Sequence, residues 1–362
     1  MNVLFLTSDV VPTNGWAVIG HNIVKNLQSE AICFEIFSEE RKFSLGLGHG
    51  KLKSSFYDKY KFLAIFYDLV NILITCKQKP DLIHCNVEYY APVAMLLSKI
   101  HRIPYTITAC GTYSVRLPKE HRIYKKAFEA AFRTIPISHY TKKRMLCEQI
   151  NSNYNVVLLG VDKNVFRPDP SVKKDDIITF VGNLKPRKGL SFLLESMVEV
   201  SKQRTNIKIV VIGNIDFSSS AYSDIERFIS LHQLDVEFVG MVSEKDLVHY
   251  YQRATLNVLP SKSQPFYFEG FGLIHSEAIA CGTITIGTCN SGNEDAISTE
   301  NGYLVEYGDK KELSEKILKV FSEDRYPSLN LNQVNDWESV AKKYLEVWTS
   351  ACVFNQTSKV SV

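Results

Sequence analysis

Short apolar runs alternate with longer stretches of helical spacing from one end of the chain to the other, and this rhythm leaves few folds open. NVLFLT begins it, and Ala17 to Leu27 reads as the first helix. DLIHCNV, PYTITAC, FRTIPIS and NVVLLG supply further strands in the front half; ITFVG, IKIVVIG, VEFVG, LNVLP and TITIG repeat the theme in the back half. Strands separated by helix-length segments form parallel sheets covered by helices. Several runs close on Gly or a turn residue, where such sheets carry their ligand loops. A chain of 362 residues exceeds what one hydrophobic core usually organises, so two domains follow. The alternation breaks in LLGVDKNVFRPDPSVKKDD, which has two prolines, a charge cluster and no helical period, and the linker is expected near Lys163 to Asp176. The expected fold is therefore α/β, with two doubly wound domains, 1–165 and 166–336, facing each other across a cleft. A last helix from Trp337 to Val353 carries an apolar stripe of Trp337, Val340, Ala341, Tyr344, Val347 and Trp348 that needs a surface to cover.

Charge divides unevenly. Residues 1–165 hold 21 Lys and Arg against 13 Asp and Glu, and the remainder holds 21 against 26. A basic front half attracts anionic lipid, an acidic glycan or nucleic acid, or is simply a solvated surface. The start, MNVLFLTSD, lacks a basic leader, and no apolar run is long enough to span a bilayer. The eight cysteines form no C-x-x-C pair and several lie in apolar contexts such as Ile32-Cys33-Phe34, which reads as reduced, buried thiols in a cytosolic protein and gives no zinc spacing. Residues 51–79 join lysines to a dense aromatic and aliphatic face. That pattern fits a membrane-surface helix or a buried helix flanked by solvated lysines, and burial is the expectation. The basic stretch from Arg116 to Arg144 is the expected docking surface for an anionic acceptor or for lipid headgroups, giving peripheral contact at the inner face of a membrane.

FEGFGLIHSEAIACG carries the densest chemistry. Gly270 and Gly272 let the backbone approach a ligand, because neither has a Cβ. Leu273, Ile274, Glu277, Ala278 and Cys281 recur at helical spacing, so the first N–H groups of that helix face whatever lies over the glycines. A helix start is an anion site. Glu269 just before it and Glu277 inside it would repel the anion, so they suit hydroxyls attached to the anion. A sugar nucleotide has hydroxyls on both sides of a diphosphate. The plainer alternative is acidic residues placed to suit the helix dipole.

The string resembles the E-x(7)-E signature of the retaining glycosyltransferases of family 4, whose fold is GT-B, two Rossmann-like domains. The resemblance extends over most of the chain. FVGNLKPRKGL is similar to the family's strand, turn and basic segment, which implies that Lys188, with Arg187 beside it, meets the donor diphosphate. Asn183 stands where the family usually has Arg, offering a neutral amide in place of a fixed fork of donors. Gly213, ending IKIVVIG, is implied to lie beside the donor. By the same resemblance Glu269 contacts the transferred sugar, Gly270 and Phe271 to Leu273 offer backbone groups to sugar and phosphate, and Glu277 binds ribose hydroxyls. In PTNGWAVIGHN only Gly15 remains of the family's pair of glycines near the diphosphate, with Asn14 before it. Trp16 is either a sugar platform or a core aromatic. TACGTYS has Cys110 before Gly111 where many relatives have His; the pair is implied to line the sugar pocket. A nucleophilic Cys110 remains open, although no paired base is visible in the sequence. His84, His101, His121 and His139 read as structural or exposed.

The resemblance implies a metal-independent, retaining transfer from a nucleoside diphosphate sugar to a glycan, lipid-linked glycan or small acceptor, with no cofactor and no nucleic acid partner. No Asp-x-Asp motif is present. It further implies that the last helix crosses back to the front domain and that domain closure excludes water from the reaction. The rivals are an epimerase or hydrolase of the same fold, and a silent sugar-nucleotide-binding module that Cys110 and Asn183 keep open. A dinucleotide oxidoreductase would want G-x-G-x-x-G after a first strand, which is absent.

Overall fold

Among the described residues twelve strands form, most of them in short runs rich in apolar and β-branched residues. The computed structural model describes residues 1–8, 15–28, 30, 32–38, 48–52, 60–322 and 329–360. In chain order they are β1 (Asn2–Leu6), β2 (Cys33–Ser38), β3 (Gly48–Lys51), β4 (Leu82–Cys85), β5 (Tyr105–Ala109) and β6 (Arg133–Pro136), then β7 (Asp175–Val181), β8 (Lys208–Ile212), β9 (Val236–Gly240), β10 (Ala254–Val258), β11 (Ile284–Thr288) and β12 (Gly302–Val305). Central strands such as β5 and β10 are buried along their whole length, as expected of parallel sheets with helices on both faces.

Two sheets result, with orders β3-β2-β1-β4-β5-β6 and β12-β11-β10-β7-β8-β9. All ladders are parallel. Counted from the first strand of each, the two orders are identical. The direction of strand addition reverses between β1 and β4 in one sheet and between β7 and β10 in the other. Loops leaving those neighbours at their carboxyl ends diverge, and a ligand crevice opens there.

The chain divides into two compact units, Met1–Leu159 with Trp337–Val362, and Gly160–Asp336. The division falls at Leu159/Gly160 rather than at 165/166. Val161 donates its N–H to Asn335 O, and Phe166 packs on Tyr251, so 160–166 belongs with the second unit. The stretch expected as a linker is likewise packed: Lys163 Nζ bonds Leu331 O, and the half-buried Lys174 donates from Nζ to Ala254 O at 2.8 Å and Thr283 Oγ1 at 2.6 Å. Burial lowers the Lys174 ammonium pKa to about 8, so two carbonyl oxygens and a hydroxyl hold a weakened cation. NVVLLG does not form a strand; Asn155 and Val157 N–H groups bond Thr134 O and Pro136 O beside β6, without a ladder beyond the single Thr134–Tyr154 bridge.

The final helix runs Trp337–Val360, longer than its stripe required. Its Trp348 is fully buried in the first unit, with ring centroids 6.5 Å from Phe5, 6.0 Å from Phe34 and 5.0 Å from His84. His84 is structural: Nδ1 lies 2.8 Å from Thr106 Oγ1, Nε2 3.1 Å from Thr108 Oγ1, and burial lowers its pKa to about 3. The Lys61–Thr75 helix overturns the burial expected of residues 51–79, since its apolar side faces outward; residues 53–59 lie outside the described residues. Among the described residues no helix is long and apolar enough to cross a membrane.

Candidate functional site

Beyond β7 the chain passes Gly182 and the exposed Asn183 into the short turn Pro186–Lys188. Beyond β10 it runs to Glu269 and then into the Leu273–Ala280 helix. The two loops are tied by Lys262 N–H to Arg187 O at 2.7 Å. Across that tie Lys188 Nζ donates to Glu269 Oε2 at 2.6 Å, and Arg187 Nη1 donates to the same oxygen at 3.4 Å. Burial pushes the Glu269 carboxyl up, but the charges of Lys188 and Arg187 and the Lys188 hydrogen bond outweigh it, leaving Glu269 below the ordinary carboxylate range. Glu269 is therefore an ionised acceptor beside two cations at the switch point of the second sheet.

The backbone around it is set by close approach. Gly292 donates its N–H to Glu269 O at 2.9 Å, and a Cβ on Gly292 would stand 2.2 Å from Gly270 O. Gly272 opens the helix at φ +83°, in the left-handed region that favours glycine. Phe271 is buried and Leu273 half-buried, so this turn offers backbone rather than side chains to a ligand. Glu277 lies inside the helix, where Tyr251 Oη donates to its Oε2 at 3.1 Å. Burial raises its pKa to about 7, only partly opposed by the Tyr251 hydrogen bond. Gly213 sits at the end of β8, packed against the Gly182 carbonyl, and its N–H bonds Gly240 O.

Two further polar side chains under this helix were not singled out in the sequence. His275 is fully buried, its Nδ1 lies 2.5 Å from Thr285 Oγ1, and burial lowers its pKa to about 3, so the ring is neutral. Asn293 Nδ2 reaches Leu259 O and Ser261 Oγ, and a Cβ on Gly272 would collide with Asn293 Oδ1 at 2.7 Å. Their signal in sequence is weak, because a His in an apolar run usually reads as core.

The switch point of the first unit is organised by Glu88, which was not singled out either. It is fully buried just beyond β4 and accepts Trp16 Nε1–H at 2.9 Å, Cys110 N–H at 2.7 Å and Ser114 Oγ–H at 2.6 Å. Burial raises its pKa, and these hydrogen bonds oppose the rise. Glu88 thereby brings Trp16, Cys110 and Gly111 together. Trp16, Tyr89 and Tyr113 form an aromatic cluster with centroids 5.1 to 6.1 Å apart, each ring half-buried. Gly15 is exposed at the start of the Gly15–Leu27 helix, and Asn14 lies outside the described residues. Burial, then the charge of Glu88, push the Cys110 thiol well above its ordinary pKa, which disfavours the thiolate that a nucleophile needs, and its Sγ contacts Asn86 O at 3.9 Å. Among the described residues no three His, Cys, Asp or Glu side chains are grouped to hold a metal ion.

The family model described as glycosyl transferases group 1 matches residues 145–343, more than half of the chain, and the model described as glycosyltransferase family 4 matches residues 14–165. The chain belongs to the group 1 glycosyltransferases. Among relatives of this glycosyltransferase, an uncharacterized glycosyltransferase of Methanocaldococcus jannaschii is 27% identical over 67% of this chain and 66% of its own length. The capsular polysaccharide biosynthesis glycosyltransferase CapM of Staphylococcus aureus is 25% identical over 72% of this chain and 74% of its own. The crystal structure of Anabaena HepE in complex with UDP superposes with a TM-score of 0.77 at 16% identity, covering 97% of this glycosyltransferase and 100% of that chain. At that identity the likeness shows the fold, which is GT-B.

Proposed function

We propose that the second unit binds a nucleoside diphosphate sugar and that the enzyme transfers its sugar to a glycan or lipid-linked acceptor held by the first, with retention and without a metal. The observation that carries this is the Lys188–Glu269 pair at the β7/β10 switch point, beside the glycine-opened start of the Leu273–Ala280 helix. Lys188, Arg187 and the first N–H groups of that helix supply positive charge for a diphosphate. Glu269, ionised and already oriented by the two cations, accepts hydrogen bonds from hydroxyls of the sugar. Glu277, in this reading, accepts from ribose hydroxyls. In the reaction the bond from the sugar anomeric carbon to the diphosphate oxygen breaks and a bond to the acceptor oxygen forms. The acceptor proton passes to the departing diphosphate, whose charge Lys188 stabilises.

The name of the Staphylococcus aureus relative supports a polysaccharide role, and the HepE structures with UDP and with UDP-glucose support a nucleotide-sugar donor.

Thermal unfolding with UDP-, GDP-, ADP- and CMP-sugars, in the absence of metal, tests this reading. Binding to the native state raises the melting temperature by mass action, so one donor series should shift it selectively. Release of the sugar by the same donor would then separate an enzyme from a silent module. No shift with any donor at millimolar concentration would overturn the proposal.

A further inference from the structure

The Lys61–Thr75 helix is amphipathic in the unusual sense. Its charged residues, Lys61 and Asp68, are buried, together with Ala64, Ile65 and Ile72. Its outward side is apolar: Phe62 is 72% exposed, Leu63 67%, Phe66 65% and Ile74 77%, with Leu73 also exposed. At 3.6 residues per turn these positions share one broad arc. The inward polarity has a structural reason. Lys61 Nζ lies 5.7 Å over the Tyr89 ring and 5.5 Å over that of Tyr124, and 3.4 Å from His121 Nε2.

A basic rim adjoins the arc. The helix packs on the Ala91–His101 helix, and each of the two leads back to the start of a neighbouring strand, β4 and β5. Their carboxyl ends therefore lie at one edge of the unit. That edge carries Lys77, Lys79, Lys99 and Arg102, all exposed. Two carboxylates beside this edge are engaged by backbone N–H groups, Glu35 by Lys77 and Gln78, and Asp81 by Asn2.

We infer that this face docks on an anionic lipid bilayer, with Phe62, Leu63, Phe66 and Ile74 entering the headgroup and acyl boundary and the four basic side chains meeting lipid phosphates. A run of large exposed apolar side chains on one helix marks an interaction surface. Aromatic and aliphatic residues in one stripe, with lysine and arginine at its border, match the chemistry of an interfacial helix. A second copy of the chain is disfavoured by charge, since a two-fold contact would bring two basic rims to one interface. The assignment also moves the expected docking surface away from the stretch between Arg116 and Arg144. Arg116 there pairs with Glu120 at 2.7 Å and Lys119 with Glu148 at 2.8 Å. The inference goes beyond the transfer reading and does not depend on it.

Co-sedimentation of the full chain with vesicles tests it, using phosphatidylcholine alone and phosphatidylcholine mixed with phosphatidylglycerol. The unaltered chain should pellet with the anionic vesicles. Phe62→Ser/Phe66→Ser/Ile74→Ser should weaken that partitioning by on the order of tenfold or more. Lys77→Glu/Lys79→Glu should lower binding to the anionic vesicles only. The substituted side chains are exposed, so the melting temperature and its shift with donor should persist, which keeps this test separate from that of the donor site. If the triple variant fails to fold, Phe66→Ser alone carries the comparison. Equal partitioning of folded variant and parent would overturn the assignment, as would a parent chain that ignores both vesicles. So would one that forms a dimer in sedimentation equilibrium which the triple variant abolishes.

Discussion

Glu269 and Glu88 each follow the fourth strand of a sheet of identical order, yet they meet opposite surroundings. Glu269 shares one carboxylate oxygen between Lys188 and Arg187 and sits below the ordinary carboxylate pKa range. Glu88 is held by an indole N–H, a backbone N–H and a hydroxyl, and burial raises its pKa. The topology provides the place, and the neighbours decide what the carboxylate does there. With two side-chain cations as its partners, Glu269 can exchange part of its pairing for a ligand under the proposed function. Held by a packed indole, a backbone N–H and a buried serine hydroxyl, Glu88 orients Trp16 and the Cys110–Gly111 turn.

The sharpest way to break this contrast is to truncate both carboxylates. Glu269→Ala should lower transfer by on the order of a thousandfold while the melting temperature changes little, because a preorganised group at the reacting sugar is lost. Near-normal turnover would remove Glu269 from the site. Glu88→Ala should act on stability first, costing about 1–3 kcal/mol as buried donors lose their acceptor. Its transfer defect should appear in the acceptor KM, with the donor-induced melting shift retained; loss of that shift would contradict a role confined to the first unit.

A smaller effect concerns pH. Glu277 keeps its proton to about pH 7 in the folded chain, against an ordinary value of 4.5. Between those values the folded state binds more protons than the unfolded, so the stability contributed by this group falls as pH rises through the window. Ribose hydroxyls need an accepting carboxylate. Donor affinity should therefore rise a few-fold as pH increases through 7, and the dependence should flatten in Glu277→Gln. An identical profile in parent and variant would place the titration elsewhere.

Much of this was legible from one-dimensional patterns. The runs that became β1, β7, β8 and β10 are predominantly apolar because both faces of a parallel strand are covered, and the glycines at 270 and 272 announce a backbone-lined turn. The pairing of Lys188 with Glu269 is different, since 81 positions separate them and only the sheet order joins them. Glu88, inside NVEYY, carries no local sign that three donors will converge on it. The Lys61–Thr75 helix was misjudged for a related reason. Apolar residues occur around its whole circumference, so periodicity cannot say which arc is covered when the two charges are the ones turned inward.

The return of Trp337–Val360 to the first unit bears on the order in which the enzyme is assembled. A ribosome delivers the chain from its amino end, and domains fold as units once their residues have emerged. The first sheet is synthesised first, but the side chain that fills the space beside Phe5, Phe34 and His84 is Trp348, which follows the whole of the second unit in the chain. The second unit is continuous from Gly160 to Asp336 and waits for nothing later. The first unit is thus completed after the second, its apolar surface uncovered while the unit encoded inside it closes.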